Sequence, residues 1–376
     1  MILKNCTFFN EIFEKEAGDI KIENGKICEI GCFNEDGKDM TGKILLPGFI
    51  DIHIHGCGGG DTCDASEESL GKITAQLAKC GITSFCPTTM TLPIERLEEI
   101  AAFTASCKTK GAKIAGINFE GPFISYKKKG AQNGEYIVGG TVEAFDRLFQ
   151  ASGGLMKLIT IAPEAFDSSE FISYAAKKCS VSVGHTNADA MQCKAAIEAG
   201  CSHATHLFNA MTPMTHREAG CVGTILDSDN VMCELICDTE HICPTVLRNT
   251  FKILGEDRAC VISDSMRGAG LGNGEFELGG QSVFVKDGYK VAKLADETIA
   301  ASITNVFEEF KNLLDIGIDI KTALKACTIN PARAINEDDN IGSIAVGKCA
   351  DLIVTNENFE IQEVYIDGIC TEHCAD

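Results

Sequence analysis

From residue 49 onward, short apolar runs rich in β-branched residues alternate with longer stretches whose apolar positions recur at helical spacing. The strand-like runs are residues 49–56, 84–89, 113–121, 156–164, 180–186, 203–211, 233–238 and 259–266. Amphipathic helices are predicted between them, for example over 70–81, 188–200 and 244–255, each running up to a glycine as helix C-termini tend to. Eight such alternations predict an α/β fold, a (β/α)8 barrel of the TIM type over residues 49–335, with its active site at the C-terminal ends of the strands. The two ends of the chain do not fit that rhythm. Residues 18–31 alternate apolar and polar about a predicted Asn24-Gly25 hairpin turn, and 342–356 and 361–370 also read as strands. Neither terminal group is large enough to bury a core alone, so residues 1–48 and 336–376 are expected to pair into one small β-sandwich domain.

Chemistry enters at the ends of the runs. Phe49-Ile50-Asp51-Ile52-His53-Ile54-His55-Gly56 carries two histidines two residues apart, which share one face of a strand. Four further metal-type ligands, Glu120, His185, His206 and Asp264, close other runs. A lone strand-end histidine is usually structural. Here four of the chain's eight histidines occupy such positions, and histidines and carboxylates converging from several strand ends are what a catalytic divalent-metal site needs.

Composition narrows the class. At 376 residues with 45% hydrophobic content, the chain is long enough for one large domain and an appendage. No apolar run approaches the ~20 residues of a membrane span, and the N-terminus lacks a basic segment followed by an apolar one, so a cytoplasmic location is expected. A net charge of −21 argues against nucleic-acid binding, although one local Arg or His can still hold an anionic small molecule. The 20 cysteines are spread along the chain with no CxxC pair, and read as reduced thiols serving as small buried hydrophobes. Cys370, His373 and Cys374 are too few for a structural zinc site, and Cys57 and Cys63, though close behind the HIH motif, read as packing residues. GAGLGNGEFELGG (268–280) satisfies neither GxGxxG nor a Walker pattern, and reads as a loop or hairpin lid at the barrel mouth.

LLPGFIDIHIHG, GHT, a late Ser-Asp pair and AVGKCADLIV together resemble the amidohydrolase superfamily. FEGPFIS followed by YKKKGAQN, then VGHTNAD, THLFNAMTPMTHREAG and NPARAIN, more narrowly resemble the N-acetylglucosamine-6-phosphate deacetylase family over nearly the whole chain. The resemblance implies that Glu120, His185 and His206 are the metal ligands common to all members. His53 and His55 match the extra pair of two-metal members, so a binuclear site is expected. It is filled most readily by zinc, with iron, cobalt or manganese fitting the same ligand types. Asp264 matches the general acid/base. Arg217 and His241 match phosphate-binding residues that reach the neighbouring subunit's site, implying a homodimer. Ala131, Gln132, Asn209, Ala210, Ile299 and Ala300 match positions that contact substrate.

The sequence departs from the family pattern in three places. Gln132 stands where many members have a histidine that orients the acetyl group. Thr239-Glu240 precedes His241 in place of a glycine and an apolar residue. Glu297 and Ala301 replace glycines in the segment 294–302. The expected reaction is hydrolysis of N-acetyl-D-glucosamine 6-phosphate to the free amine and acetate. The alternatives are another amidohydrolase acting on an N-acyl amino sugar or amino acid, and a non-catalytic sugar-phosphate sensor that should have lost a ligand or the aspartate.

Overall fold

The computed structural model describes residues 1–371. His373 and Cys374, weighed above as tail ligands, lie outside the described residues. Eight parallel strands pair in chain order: Phe49–Ile54, Ile82–Thr89, Ile117–Glu120, Met156–Ile161, Ser180–Val183, His203–Ala204, Met232–Leu235 and Ala259–Val261. The first and last edges are drawn together where the Asp264 amide donates to the His53 carbonyl at 3.0 Å and the His55 amide to the Ser265 carbonyl at 2.9 Å. The result is the expected barrel, nearly closed, with the seam running through the predicted site.

Seven of the eight strands are shorter than the apolar runs that announced them, and the second, Ile82–Thr89, begins two residues before its run. HATHLFNAM is extended only at His203–Ala204, because His206, Phe208 and Ala210 adopt left-handed φ values of 32°, 81° and 51° that no strand accommodates. His185 (φ 45°) and Asp264 (φ 46°) leave their strands in the same way. Gly184, just before His185, admits no side chain: a Cβ there would meet Thr205 Cβ at 2.6 Å.

The helices begin and end on recognisable local signals. Glu67–Lys79 is capped by Ser66, and Ala190–Ala199 by a reciprocal box of Asp189 and Gln192. Pro244–Leu254 opens on its proline and stops at Gly255, whose positive φ (68°) favours glycine. The helix Val306–Asp315 lies against the first barrel strand, where Phe310 meets Phe49, Phe307 and Phe359 at ring separations of 5.3, 6.0 and 5.6 Å.

Strands from both chain ends form one eight-stranded sheet. Leu352–Thr355, near the C-terminus, pairs with Ile44–Pro47, and Ile2–Phe9 flanks the latter. Its apolar cluster draws Leu3, Phe8, Ile20 and Leu45 from one end and Leu352, Val354 and Tyr365 from the other, so neither end could close it alone. The stretch 268–280 leads into a four-stranded antiparallel sheet spanning Gly274–Ser302, whose first turn has positive φ at both Gly279 (57°) and Gly280 (82°). The described cysteines are free, most of them buried. No helix among the described residues is long and apolar enough to cross a membrane.

Because Phe310 is fully buried at the junction of helix, barrel and C-terminal segment, truncating it leaves a cavity that three neighbouring rings cannot fill. Phe310→Ala is expected to lower the unfolding free energy by about 3–5 kcal/mol, read from urea titration followed by circular dichroism. A change below about 1 kcal/mol would show that the ring cluster repacks freely.

Candidate metal centre and substrate pocket

Six buried side chains converge at the C-terminal mouth of the barrel. They fall into two groups, His53–His55–Asp264 and Glu120–His185–His206, with the ligand atoms of each group within 4.8 Å of one another. Glu120 lies between the groups. Its Oε1 is 2.9 Å from His206 Nε2, 3.1 Å from His185 Nε2 and 3.4 Å from His53 Nε2, and its Oε2 is 3.3 Å from His55 Nε2. Asp264 Oδ1 closes the far side, 3.5 Å from His53 Nε2 and 3.4 Å from His55 Nε2.

The outer nitrogens of the rings set their tautomers. His53 Nδ1 meets the Glu234 carboxylate at 2.9 Å, His55 Nδ1 the Thr88 carbonyl at 3.3 Å and His185 Nδ1 the Lys128 carbonyl at 2.8 Å. Each partner accepts only, so each Nδ1 carries the hydrogen and each Nε2 turns a lone pair inward. His53 Nε2 is buried with no hydrogen-bond partner, and the Nε2 atoms of His185 and His206 stand only 3.1 Å apart. Lone pairs so placed repel unless a cation lies among them. The donor set fits a divalent metal.

Without a cation, the carboxylates would instead fill the same space with protons on the rings. Burial disfavours charge on His55, yet Asp264 and Glu120 outweigh it and lift its pKa to about 9. Burial likewise works against an ionised Glu120, but His185 and His53 hold its carboxyl well below the usual range. Glu234, fully buried, is held at about 2 against its burial by His53 and His203.

A cavity of about 300 Å³ opens onto this cluster. His55, Glu120, His185, His206 and Asp264 form its floor, and Ala131, Gln132, Asn209, Ala210, His241, Ile299 and Ala300 stand in its walls. His241 lines the pocket of its own chain, where Asp238 grips its Nδ1 at 2.6 Å from three residues upstream. Arg217 is exposed and lies outside this cavity, in a surface groove beside Met191 and Met214. Cys57 and Cys63 join neither ligand group: the first donates to the Ile73 carbonyl and the second accepts from the Met90 amide. Glu297, at φ 65°, faces outward between Lys286 and Lys293, while the adjacent Thr298 joins the cavity wall.

Several participants escaped the reading of the sequence. Glu234 bridges His53 Nδ1, the His206 amide at 3.1 Å and His203 Nε2 at 3.1 Å, so one buried carboxylate orients a residue from each ligand group. Asp51, on the same strand face as His53, accepts from Ser263 Oγ at 2.6 Å and locks the seam beneath the site; burial pushes its pKa up to about 7. Lys127 and Lys128 bring positive charge to the cavity wall of an acidic protein. The alternating Asp51-x-His53-x-His55 was a usable signal for Asp51; nothing local marked Glu234.

A barrel of eight parallel strands bearing two such donor groups at its C-terminal mouth defines a metal-dependent hydrolase. The amidohydrolase family model matches residues 44–370. The N-acetylglucosamine-6-phosphate deacetylase of Bacillus subtilis is 36% identical over 96% of this chain and 94% of its own length, and that of Bos taurus 32% over 89% and 85%. Among solved structures, the Mycobacterium smegmatis N-acetyl-D-glucosamine-6-phosphate deacetylase, as a mutant in complex with N-acetyl-D-glucosamine 6-phosphate, superposes with a TM-score of 0.92 at 27% identity over 98% of both chains. The Thermotoga maritima deacetylase gives 0.87 at 29% identity over 98% and 99%. The chain belongs to the amidohydrolase family and, within it, to the N-acetylglucosamine-6-phosphate deacetylases. Its cofactor is accordingly a divalent metal.

Glu234→Gln keeps the shape of the side chain but removes the charge that holds His53 and His203. Metal affinity, measured by equilibrium dialysis and elemental analysis, is expected to fall about 10- to 100-fold. Unchanged affinity would mean that packing alone orients His53.

Proposed function

We propose that the chain hydrolyses N-acetyl-D-glucosamine 6-phosphate to D-glucosamine 6-phosphate and acetate, at a two-metal site for which zinc is the favoured occupant and iron, cobalt or manganese the alternatives. The observation that carries this reading is the division of the buried donors into two groups about Glu120, with Asp264 exposed to the cavity. His53 and His55 with Asp264 would hold one ion, and His185 and His206 the other, Glu120 serving both. A bound divalent cation supplies Lewis acidity, drawing charge from water and from an amide carbonyl.

Asp264 then does the proton work. Its carboxylate takes a proton from the water whose oxygen bonds to the acetyl carbon, and passes it to the sugar nitrogen as the C–N bond breaks. That proton and the nitrogen's own hydrogen make the leaving amine, and the water's second proton passes from the new carboxyl group to it, so the products are the ammonium form of the sugar and acetate. The water, the amide and Asp264 share one pocket mouth, so a single group can act on both sides of the bond.

Phosphate recognition falls to groups further out. His241, held by Asp238, offers its Nε2 to the cavity, and Lys127 and Lys128 add cationic charge there. Asn209 and Ala210 contact the sugar or its phosphate, and Ala131, Ile299 and Ala300 close the walls. Arg217 serves the pocket of a second copy in a homodimer. Supporting this, it is exposed in its own chain, lies outside its own cavity, and neighbours the exposed apolar side chains of Met191 and Met214. A guanidinium suits the task because its planar fork donates two hydrogen bonds to a phosphate.

With zinc restored, kcat/KM for amine release is expected to favour N-acetylglucosamine 6-phosphate strongly over the unphosphorylated sugar. Asp264→Asn should lower kcat about 10²- to 10⁴-fold with little change in KM. Equal turnover of the two sugars would leave a hydrolase without the phosphate assignment, and an unimpaired Asp264→Asn would remove the aspartate from the proton path.

A further inference from the structure

We infer that Gln132 is a positioning residue for Glu120, fixing the carboxylate shared by the two donor groups, and does not act chiefly by holding the substrate's acetyl group. The inference rests on the reading of that cluster as a metal site.

The argument begins with what each atom of the amide can do. Gln132 is 2% exposed, so both ends of its carboxamide need partners. Its Oε1 accepts from the Thr91 backbone amide at 2.7 Å, and its Nε2 donates to Glu120 Oε2. A backbone N–H can only donate and an ionised carboxylate can only accept, so the orientation is unambiguous. Flipping the amide would set hydrogen against hydrogen at Thr91 and oxygen against oxygen at Glu120.

Thr91 closes the arrangement by donating from Oγ1 to the Glu120 carbonyl at 3.3 Å. The main chain and the side chain of Glu120 are thereby tied to one short segment. The turn that presents Gln132 is itself pinned, with its amide donating to the Lys129 carbonyl at 2.9 Å.

The contact falls on one particular oxygen. Oε2, held by Gln132, faces His55 at 3.3 Å, while Oε1 faces His206, His185 and His53. Fixing one oxygen fixes the plane of the carboxylate, and with it the direction of both sets of lone pairs. Gln132 does this without carrying charge at any pH, so it does not compete with a cation for the negative charge of Glu120. In the cavity wall the amide has its oxygen and one N–H committed, and its second N–H meets only the weak acceptor Met90 Sδ at 3.8 Å, which leaves little of it for any substrate atom.

The test uses the full chain with metal binding as the first readout. Gln132→Leu removes both contacts; Gln132→His retains an acceptor for Thr91 and a donor for Glu120, and serves as the conservative control. Zinc affinity by equilibrium dialysis is expected to fall about 10- to 100-fold in Gln132→Leu, to shift the visible spectrum of the cobalt-loaded protein, and to recover in Gln132→His. In turnover, kcat should drop more than KM rises. Unchanged zinc affinity and cobalt spectrum in Gln132→Leu, with a raised KM for the acetylated sugar, would overturn the inference and return Gln132 to the substrate. A wild-type chain that took up no metal would refute the metal-site reading itself, and this inference with it, whereas equal metal affinity in wild type and Gln132→Leu would refute this inference alone.

Discussion

A carboxylate withdrawn from water is costly unless positive charge and hydrogen-bond donors surround it. Glu120 is 2% exposed, at the end of a barrel strand, and four imidazole nitrogens lie within 3.4 Å of its two oxygens. Three of these nitrogens, on His53, His55 and His185, are lone-pair donors in the neutral rings and are crowded together. Each half of the cluster is unfavourable alone, and a divalent cation satisfies both at once. The arrangement around it can be read as the means of holding this one carboxylate and these rings in place until the cation arrives.

The barrel supplies that support in layers. The seam between first and last strands is made by backbone bonds at His53, His55 and Asp264, so closing the barrel and aiming three of the converging side chains are one structural event. Beneath it, Asp51 and Ser263 lock the seam from within, and Thr160, Thr205 and Ser182 form a hydroxyl chain with oxygens 2.8 and 2.6 Å apart. Glu234 stitches the two ligand groups together from behind. Three of the six converging residues, His185, His206 and Asp264, sit at positive φ, each costing about 1–3 kcal/mol of backbone strain that the rest of the barrel sustains.

The molecule is strongly acidic, yet two lysines stand in the wall of the cavity. Lys127, Lys128 and His241 stand in its wall, held by the turn that also carries Ala131 and Gln132 and by the buried Asp238. Gln281, from the inserted antiparallel sheet, donates to the Ala131 carbonyl, so the wall that carries the lysines is braced by the insertion. Net charge therefore says little about what the pocket accepts: the field at the site is set by a few nearby groups.

What could be read from the sequence was what depends on near neighbours. His53 and His55 were legible as a pair because side chains two apart share a strand face. The eight-fold alternation was legible because strands and helices bury apolar residues at different periods, and the helix ends because glycine releases the chain there. Short, family-like strings brought Glu120, His185, His206, Asp264 and the pocket walls into view, and the structure gathers them at one mouth. The rest depended on contacts that no local pattern encodes. Glu234 meets His53 across 181 residues and Ser263 meets Asp51 across 212, both pairings created only when the barrel closes. Likewise, only the folded backbone shows His241 inside its own pocket, Arg217 outside it, and Gln132 committed to Glu120, because the direction of a side chain follows from a left-handed turn or a distant acceptor.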